Sequence, residues 1–307
     1  MDFSLDADQV AILDAVGTLL SRHAGAGRLR VLGGDMPRYD DDLEQHLASA
    51  GFLDLVDQPQ RNRLDAALVQ EAISVALGSV ASSYRLLVWP SIPAVCDGPI
   101  AIVPDGYCGP ARFAADARTL LVLGADEVRL LDTSRLSLKR IDSRLAWPVG
   151  QIVDLPKGGT PLDVHPDEIR SWVQVALAIE LVGAMRFALD LVVGYVIDRH
   201  QFGRAIGSFQ AVQHGLAECA VLLEGARWLA LEAAWNGEPT SAALALTHAV
   251  GAADTVFSRT HQYTGAIGFT QEYDLHLATM RLPALRAEAR LHGQPAAVSA
   301  SHIWGCG

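Results

Sequence analysis

The sequence predicts a mainly helical protein with a small β domain set into it. An amino-terminal helical domain spans residues 1–88, a reduced β domain spans 89–160, and a carboxyl-terminal four-helix-type bundle spans 161–307. Three observations predict this. Apolar residues recur every three or four positions at both ends of the chain, prolines and glycines cluster with short apolar runs in the middle, and the most regular rows fill the last third. Half of the 307 residues are hydrophobic, enough for a substantial core.

In the first region Asp6 is placed to cap a helix carrying Val10, Leu13, Val16 and Leu20 at helical steps. Residues 41–50 and 64–77 repeat the pattern, separated by a Gly-Gly-Asp break at 33–35 and a charged stretch at 58–63. From about residue 89 to 156, runs such as Thr-Leu-Leu-Val-Leu at 119–123 and Val-Arg-Leu-Leu at 128–131 alternate with turns, as strands do; the length permits a modest sheet. Beyond it, Trp172, Val175, Ile179, Val182, Leu189, Val193 and Val196 share one helical face, with Arg186 the exception in the row. A second helix is expected to start at Ser208, whose hydroxyl is placed to cap it, and to carry Phe209, Val212, Leu216, Cys219, Leu223, Ala226 and Ala230. Gly237-Glu238-Pro239-Thr240 is expected to close that helix and cap a third, which presents Leu246, Val250, Ala253 and Phe257 until Gly265 ends it. Long antiparallel helices on short loops make a bundle.

The 24 Lys and Arg residues against 35 Asp and Glu leave a formal charge of -11, a field that repels polyanions and excludes nucleic acid as a partner. A few arginines can still meet an anionic cofactor locally, because the nearest charges and helix ends govern a site. The acidic amino terminus lacks the basic and apolar parts of a secretory signal, so the mature protein is expected to begin near Met1. The most apolar stretch, 172–185, is broken by Gln174 and Glu180 and is shorter than the ~20 apolar residues of a membrane span. Cys96, Cys108, Cys219 and Cys306 lack paired spacing, which suits reduced thiols in a cytoplasm rather than disulfides or a metal site.

Two loops carry the functional signal. Residues 199–204, Arg-His-Gln-Phe-Gly-Arg, follow a long helix, and residues 262–270, Gln-Tyr-Thr-Gly-Ala-Ile-Gly-Phe-Thr, form a small-residue turn whose amides suit a phosphate. Taken singly, the first reads more readily as an ordinary helix stop than as a cofactor site, and the second reads equally as a turn between bundle helices. Together they resemble the two signatures of the acyl-CoA dehydrogenase family. Residues 195–213 match a tyrosine, then Arg-x-x-Phe-Gly, then Phe-Gln-x-x-Gln; residues 262–274 match Gln-x-x-Gly-Gly-x-Gly-Phe-Thr-x-Glu with Ala266 in place of the second glycine. The resemblance covers the carboxyl-terminal half, and the amino-terminal half is similar in layout.

What the resemblance implies is an FAD site and an acyl-CoA substrate. It places Arg199 and Phe202 against the diphosphate and adenosine of FAD, with Gln210 nearby; Gln262 and Gly265, with Ala266 beside them, reach the FAD of a neighbouring subunit. A planar cationic fork at Arg199 suits a pyrophosphate. The family's reaction also needs a carboxylate base, yet 281–293 has no Tyr-Glu-Gly-Thr-like loop, and Val173 stands at the other position used for it. Glu288, Asp167 and Glu168 remain by proximity in sequence. Glu180, beside Gly183 and Ala184 on an apolar helix, reads as a partly buried structural carboxylate that is also a weak candidate. Residues 122–154 lack the family's Thr/Ser-Gly-rich segments. The shortened chain therefore resembles the partner subunits of actinobacterial heterotetrameric enzymes acting on steroid side-chain thioesters, and residues 272–277 are similar to that subgroup. Three readings follow: a partner subunit that completes a shared flavin site with a sister chain, a self-sufficient homo-oligomer with a relocated base, and a flavin-free scaffold of the same fold.

Overall fold

The computed structural model describes residues 4–34, 36–95 and 98–292. The amino-terminal helices are α1 (Ala7–His23), α2 (Ala26–Leu32), α3 (Asp41–Ser49) and α4 (Arg63–Val75). Asp6 caps α1 in a reciprocal box: its carboxylate accepts from the Gln9 amide at 2.8 Å, and the Gln9 side chain accepts from the Asp6 amide at 3.2 Å. Asn62 caps α4 in the same manner with Asp65. Gly33 and Gly34, at φ 124° and 68°, turn the chain after α2.

The middle region folds into two small sheets rather than one. β1 (Ile100–Pro104), β3 (Thr119–Leu123), β4 (Val128–Asp132) and β7 (Thr160–Leu162) lie in the order β1-β3-β4-β7, with β1 and β3 parallel. β2 (Gly109–Arg112), β6 (Val149–Ile152) and β5 (Leu138–Ile141) form the second sheet in the order β2-β6-β5. Strands β1 and β3 are buried on both faces. Ala101, Val103, Leu120 and Val122 meet Ala111 and Ile152 between the sheets, while Ile100, Ile102, Leu121 and Leu123 join the main core shared with the helices. Alternation along a strand assigns successive residues to opposite faces, so both faces of these strands must be apolar.

Three long helices dominate the rest: α5 (Pro166–Asp198), α6 (Gln210–Asn236) and α7 (Pro239–Thr264), followed by α8 (Leu275–Thr279) and α9 (Arg281–Leu291). The expected apolar face of α5 is buried except at Val193, which is exposed, and it is incomplete as a description. From Ser171 to Met185 every residue is buried, because α4, α6, α7, α8 and α9 all pack around this helix. A methyl group at Gly183 would meet the Ser74 side chain at 2.2 Å, which shows how closely α5 crosses α4. Two capping expectations are corrected. Ser208 does not cap α6: it lies in a 3₁₀ turn with its hydroxyl donating to the Ala205 carbonyl at 2.7 Å, and α6 starts at Gln210 without a side-chain cap. Gly237 does close α6 in the left-handed conformation, but Thr240 lies inside α7, where Pro239 opens the first turn.

Cys108 is exposed and Cys219 buried, both as free thiols, while Cys96 and Cys306 fall outside the described residues. No helix among the described residues is long and apolar enough to cross a membrane.

Candidate functional site

The antiparallel course of α5, α6 and α7 brings both signature loops to one end of the bundle. The Tyr263 hydroxyl donates to the Ala211 carbonyl at 3.3 Å, and the Tyr273 hydroxyl donates to Leu191 at 2.9 Å with its ring 5.5 Å from Tyr195. Arg199 ends α5: its amide donates to Tyr195 at 2.9 Å and its carbonyl accepts from Ile206 at 2.8 Å. Its exposed guanidinium makes no ion pair with any described residue. Beyond it, β8 (His200–Gln201) and β9 (Arg204–Ala205) form a two-residue hairpin. At the tip Phe202 adopts φ 54°, a left-handed value that costs a non-glycine residue about 1 kcal/mol or more, and leaves 91% of its surface exposed. Arg204 lies 3.9 Å over the Phe209 ring.

Gln210 is exposed in the first turn of α6, a 27-residue helix whose start has no side-chain cap and so offers free amides and a positive dipole end. Gln262, Gly265 and Ala266 are exposed at the end of α7. Gly265 takes φ 64°, and a methyl group there would meet nothing within 4 Å. Ala266 sits in the following 3₁₀ turn with its methyl exposed. An unpaired arginine, an uncapped helix start and an open small-residue turn fit the diphosphate of a dinucleotide.

The carboxylates have a different fate. Glu180 is buried, and the guanidinium of Arg112, at the end of β2, holds it with two parallel hydrogen bonds of 2.8 Å. Arg112 also donates from Nε to Glu288 of α9 at 2.8 Å, and the Tyr84 hydroxyl donates to the other Glu288 oxygen. Burial alone would pull the Arg112 pKa down; the attraction of Glu180 and Glu288 outweighs it and holds the group above its ordinary value. Arg281, the first residue of α9, is fully buried beside this network and lies 3.8 Å from the Trp147 ring centroid. It donates to the carbonyls of Ala146, Gly78 and Leu77 at 3.0 to 3.2 Å. Burial lowers its pKa to about 9. Ala146 and Leu77 have φ of 55° and 56°, so one guanidinium fixes two left-handed turns. Glu168 is exposed in the first turn of α5, accepting from Ser91 at 2.5 Å, and Asp167 pairs with Arg170 on the surface.

The two loops are thus brought together, and Glu180 with Glu288 forms a separate cluster at the junction of the second sheet with α5 and α9. Sequence reasoning had not singled out Arg112, Tyr84, Arg281 or Trp147. A signal existed for the first: one arginine in the small and apolar run 109–114 answers one carboxylate in an apolar helix.

Residues 172–289 match the family model described as Acyl-CoA dehydrogenase, C-terminal domain. The chain is 29% identical over 290 residues to the acyl-CoA dehydrogenase IpdE2 of Mycobacterium tuberculosis, covering 86% of this chain and 87% of that protein. In fold it is similar to the ChsE4-ChsE5 complex from Mycobacterium tuberculosis, with TM-score 0.82, 17% identity and 99% of each chain covered. It is also similar to a Tcur3481-Tcur3483 steroid ACAD variant, with TM-score 0.75, 23% identity, and 96% of this chain and 97% of that one covered. The bundle thus matches an acyl-CoA dehydrogenase C-terminal domain, the chain is similar in sequence to an acyl-CoA dehydrogenase over most of its length, and the whole chain shares the fold of these solved structures.

Proposed function

We propose that this chain is a subunit of an FAD-dependent acyl-CoA dehydrogenase that completes a flavin site shared with a sister chain and leaves the catalytic base to that chain. The observation that carries the reading is the opposite treatment of its charges. Arg199 faces outward with no ion pair to a described residue, whereas Glu180 and Glu288 are both paired with Arg112. A general base needs an accessible carboxylate with no fixed cation on it; Glu180 is buried, Arg112 holds both carboxylates, and Tyr84 holds the second oxygen of Glu288. Glu168 is held by Ser91 on the surface.

In this reading FAD supplies the hydride acceptor for α,β-dehydrogenation of an acyl-CoA thioester. Arg199 binds the diphosphate, Phe202 covers the adenosine and Gln210 supports it, while Gln262, Gly265 and Ala266 approach the FAD of the neighbouring subunit. Residues 161–307 are then the flavin-facing unit, with 1–88 and 89–160 as the helical and β domains packed on it. The names of the similar solved structures, one a two-protein complex and one a steroid enzyme, support a hetero-oligomer and a steroid side-chain thioester. A cytoplasmic location goes with this assignment.

The test is the flavin absorption and turnover of the chain purified alone and co-expressed with a sister dehydrogenase chain. Alone it is expected to be colourless and inactive; together they are expected to give a yellow, active complex. Arg199→Ala should weaken flavin retention by roughly ten- to a hundredfold, the scale of about 1.5–3 kcal/mol for a charge-assisted hydrogen bond. Turnover by the lone chain, abolished by Glu288→Gln, would establish the self-sufficient enzyme instead. Undiminished flavin retention by the Arg199→Ala complex would favour the scaffold.

A further inference from the structure

Between the second sheet and α9 the structure leaves a cleft of about 410 Å³, within the range of small-molecule sites at roughly 300–1,000 Å³. Its walls are largely apolar, with Ile102, Leu145 and Leu291 among them, and the short side chains of Ala284 and Ala287 open its helical side. Arg112 and Glu288 also line it, and 13% of the Glu288 side chain remains accessible.

The charge pattern selects the ligand. Arg112 and Arg281 balance Glu180 and Glu288, so the buried polar cluster beside the cleft has no net charge, and exposed Asp142 is the remaining charge on the lining. An anion would surrender its hydration without finding an unpaired cation, and exposed Asp142, which lines the cleft and makes no ion pair with described residues, repels it further. An ammonium group would be desolvated against a cluster already neutral, and exposed Asp142, screened by water, attracts it only weakly. Hydrogen-bond acceptance is nevertheless available: each oxygen of Glu288 has two lone pairs and accepts one bond, Oε2 from Arg112 and Oε1 from Tyr84.

We propose that this cleft binds an uncharged apolar molecule carrying a hydroxyl group, its body against the apolar walls and its hydroxyl donating to Glu288. The site stands apart from the flavin reading, since it requires neither the signature loops nor a sister chain.

Three probes with one apolar body test it: adamantanol, adamantane carboxylate and adamantylammonium, each titrated calorimetrically into the full-length chain. The alcohol is expected to bind at least about tenfold more tightly than either ion, a difference of about 1.4 kcal/mol. Ala284→Phe, which fills the helical side, should remove that binding without changing the melting temperature. Leu291→Trp blocks the cleft from a partly exposed position, if the first variant fails to fold. Glu288→Gln, which keeps one acceptor oxygen, should weaken binding several-fold. No binding by any probe, tightest binding by either ion, or undiminished binding after the cleft is filled would overturn the assignment.

Discussion

Replacing Arg112 with alanine is expected to destabilise the folded chain by about 3–5 kcal/mol, the usual cost of leaving a buried charge without its partner. The Arg112 side chain is 4% exposed and that of Glu180 1%, so water cannot replace the lost hydrogen bonds. Glu180 would lose both bonds, Glu288 one, and the remaining cluster would carry a net negative charge in the interior. Removing both partners should be far milder. Arg112→Met with Glu180→Leu leaves Arg281 and Glu288, a neutral remainder, and should recover most of the loss. Urea unfolding of the three proteins checks this. A cost below about 1 kcal/mol for Arg112→Ala would mean that the cluster is not the buried lock described above.

Acid is expected to remove about 3 kcal/mol of stability through one histidine. His292, at the end of α9, is buried with neither ring nitrogen hydrogen-bonded to a described residue. Burial, aided by the positive charges of Arg170 and Arg112, lowers its pKa from 6.5 to about 4. The folded state therefore binds fewer protons than the unfolded state between these values, so stability rises with pH across the window. The contribution is fully present above about pH 6.5 and lost as pH falls to about 4. Carboxylates titrate in the lower part of that range, so the quantity to measure is a difference. Unfolding free energies from pH 7 to 4 for the native chain and for His292→Leu should diverge, with the variant showing the shallower fall. Parallel curves would refute a buried neutral imidazole.

Much of the architecture is written in local patterns. The Asp6 cap, the strands at 119–123 and 128–132, the left-handed stop at Gly237 and the end of α7 at Gly265 each depend on residues within a turn or a strand of one another. Ser208 misled because a hydroxyl near a helix start has several nearby acceptors and donors; here the Ala205 carbonyl won. The split of the β region into two sheets was not legible, since alternation marks a strand but does not name its neighbour. The full burial of α5 was hidden for a similar reason: an apolar row shows one buried face, while small and apolar residues off the row are buried only if further helices arrive.

The sequence by itself determined the resemblance to acyl-CoA dehydrogenases, the helical ends around a β middle, and the two loops that carry the signatures, because these are set by short-range spacing. Only the tertiary structure decided that both loops share one end of the bundle, that Arg112 meets Glu180 and Glu288 across 68 and 176 residues, and that Arg281 fixes two left-handed turns. Such pairings are chosen by where packed elements bring charges out of water, and desolvation makes a partner obligatory without specifying where in the chain it must lie.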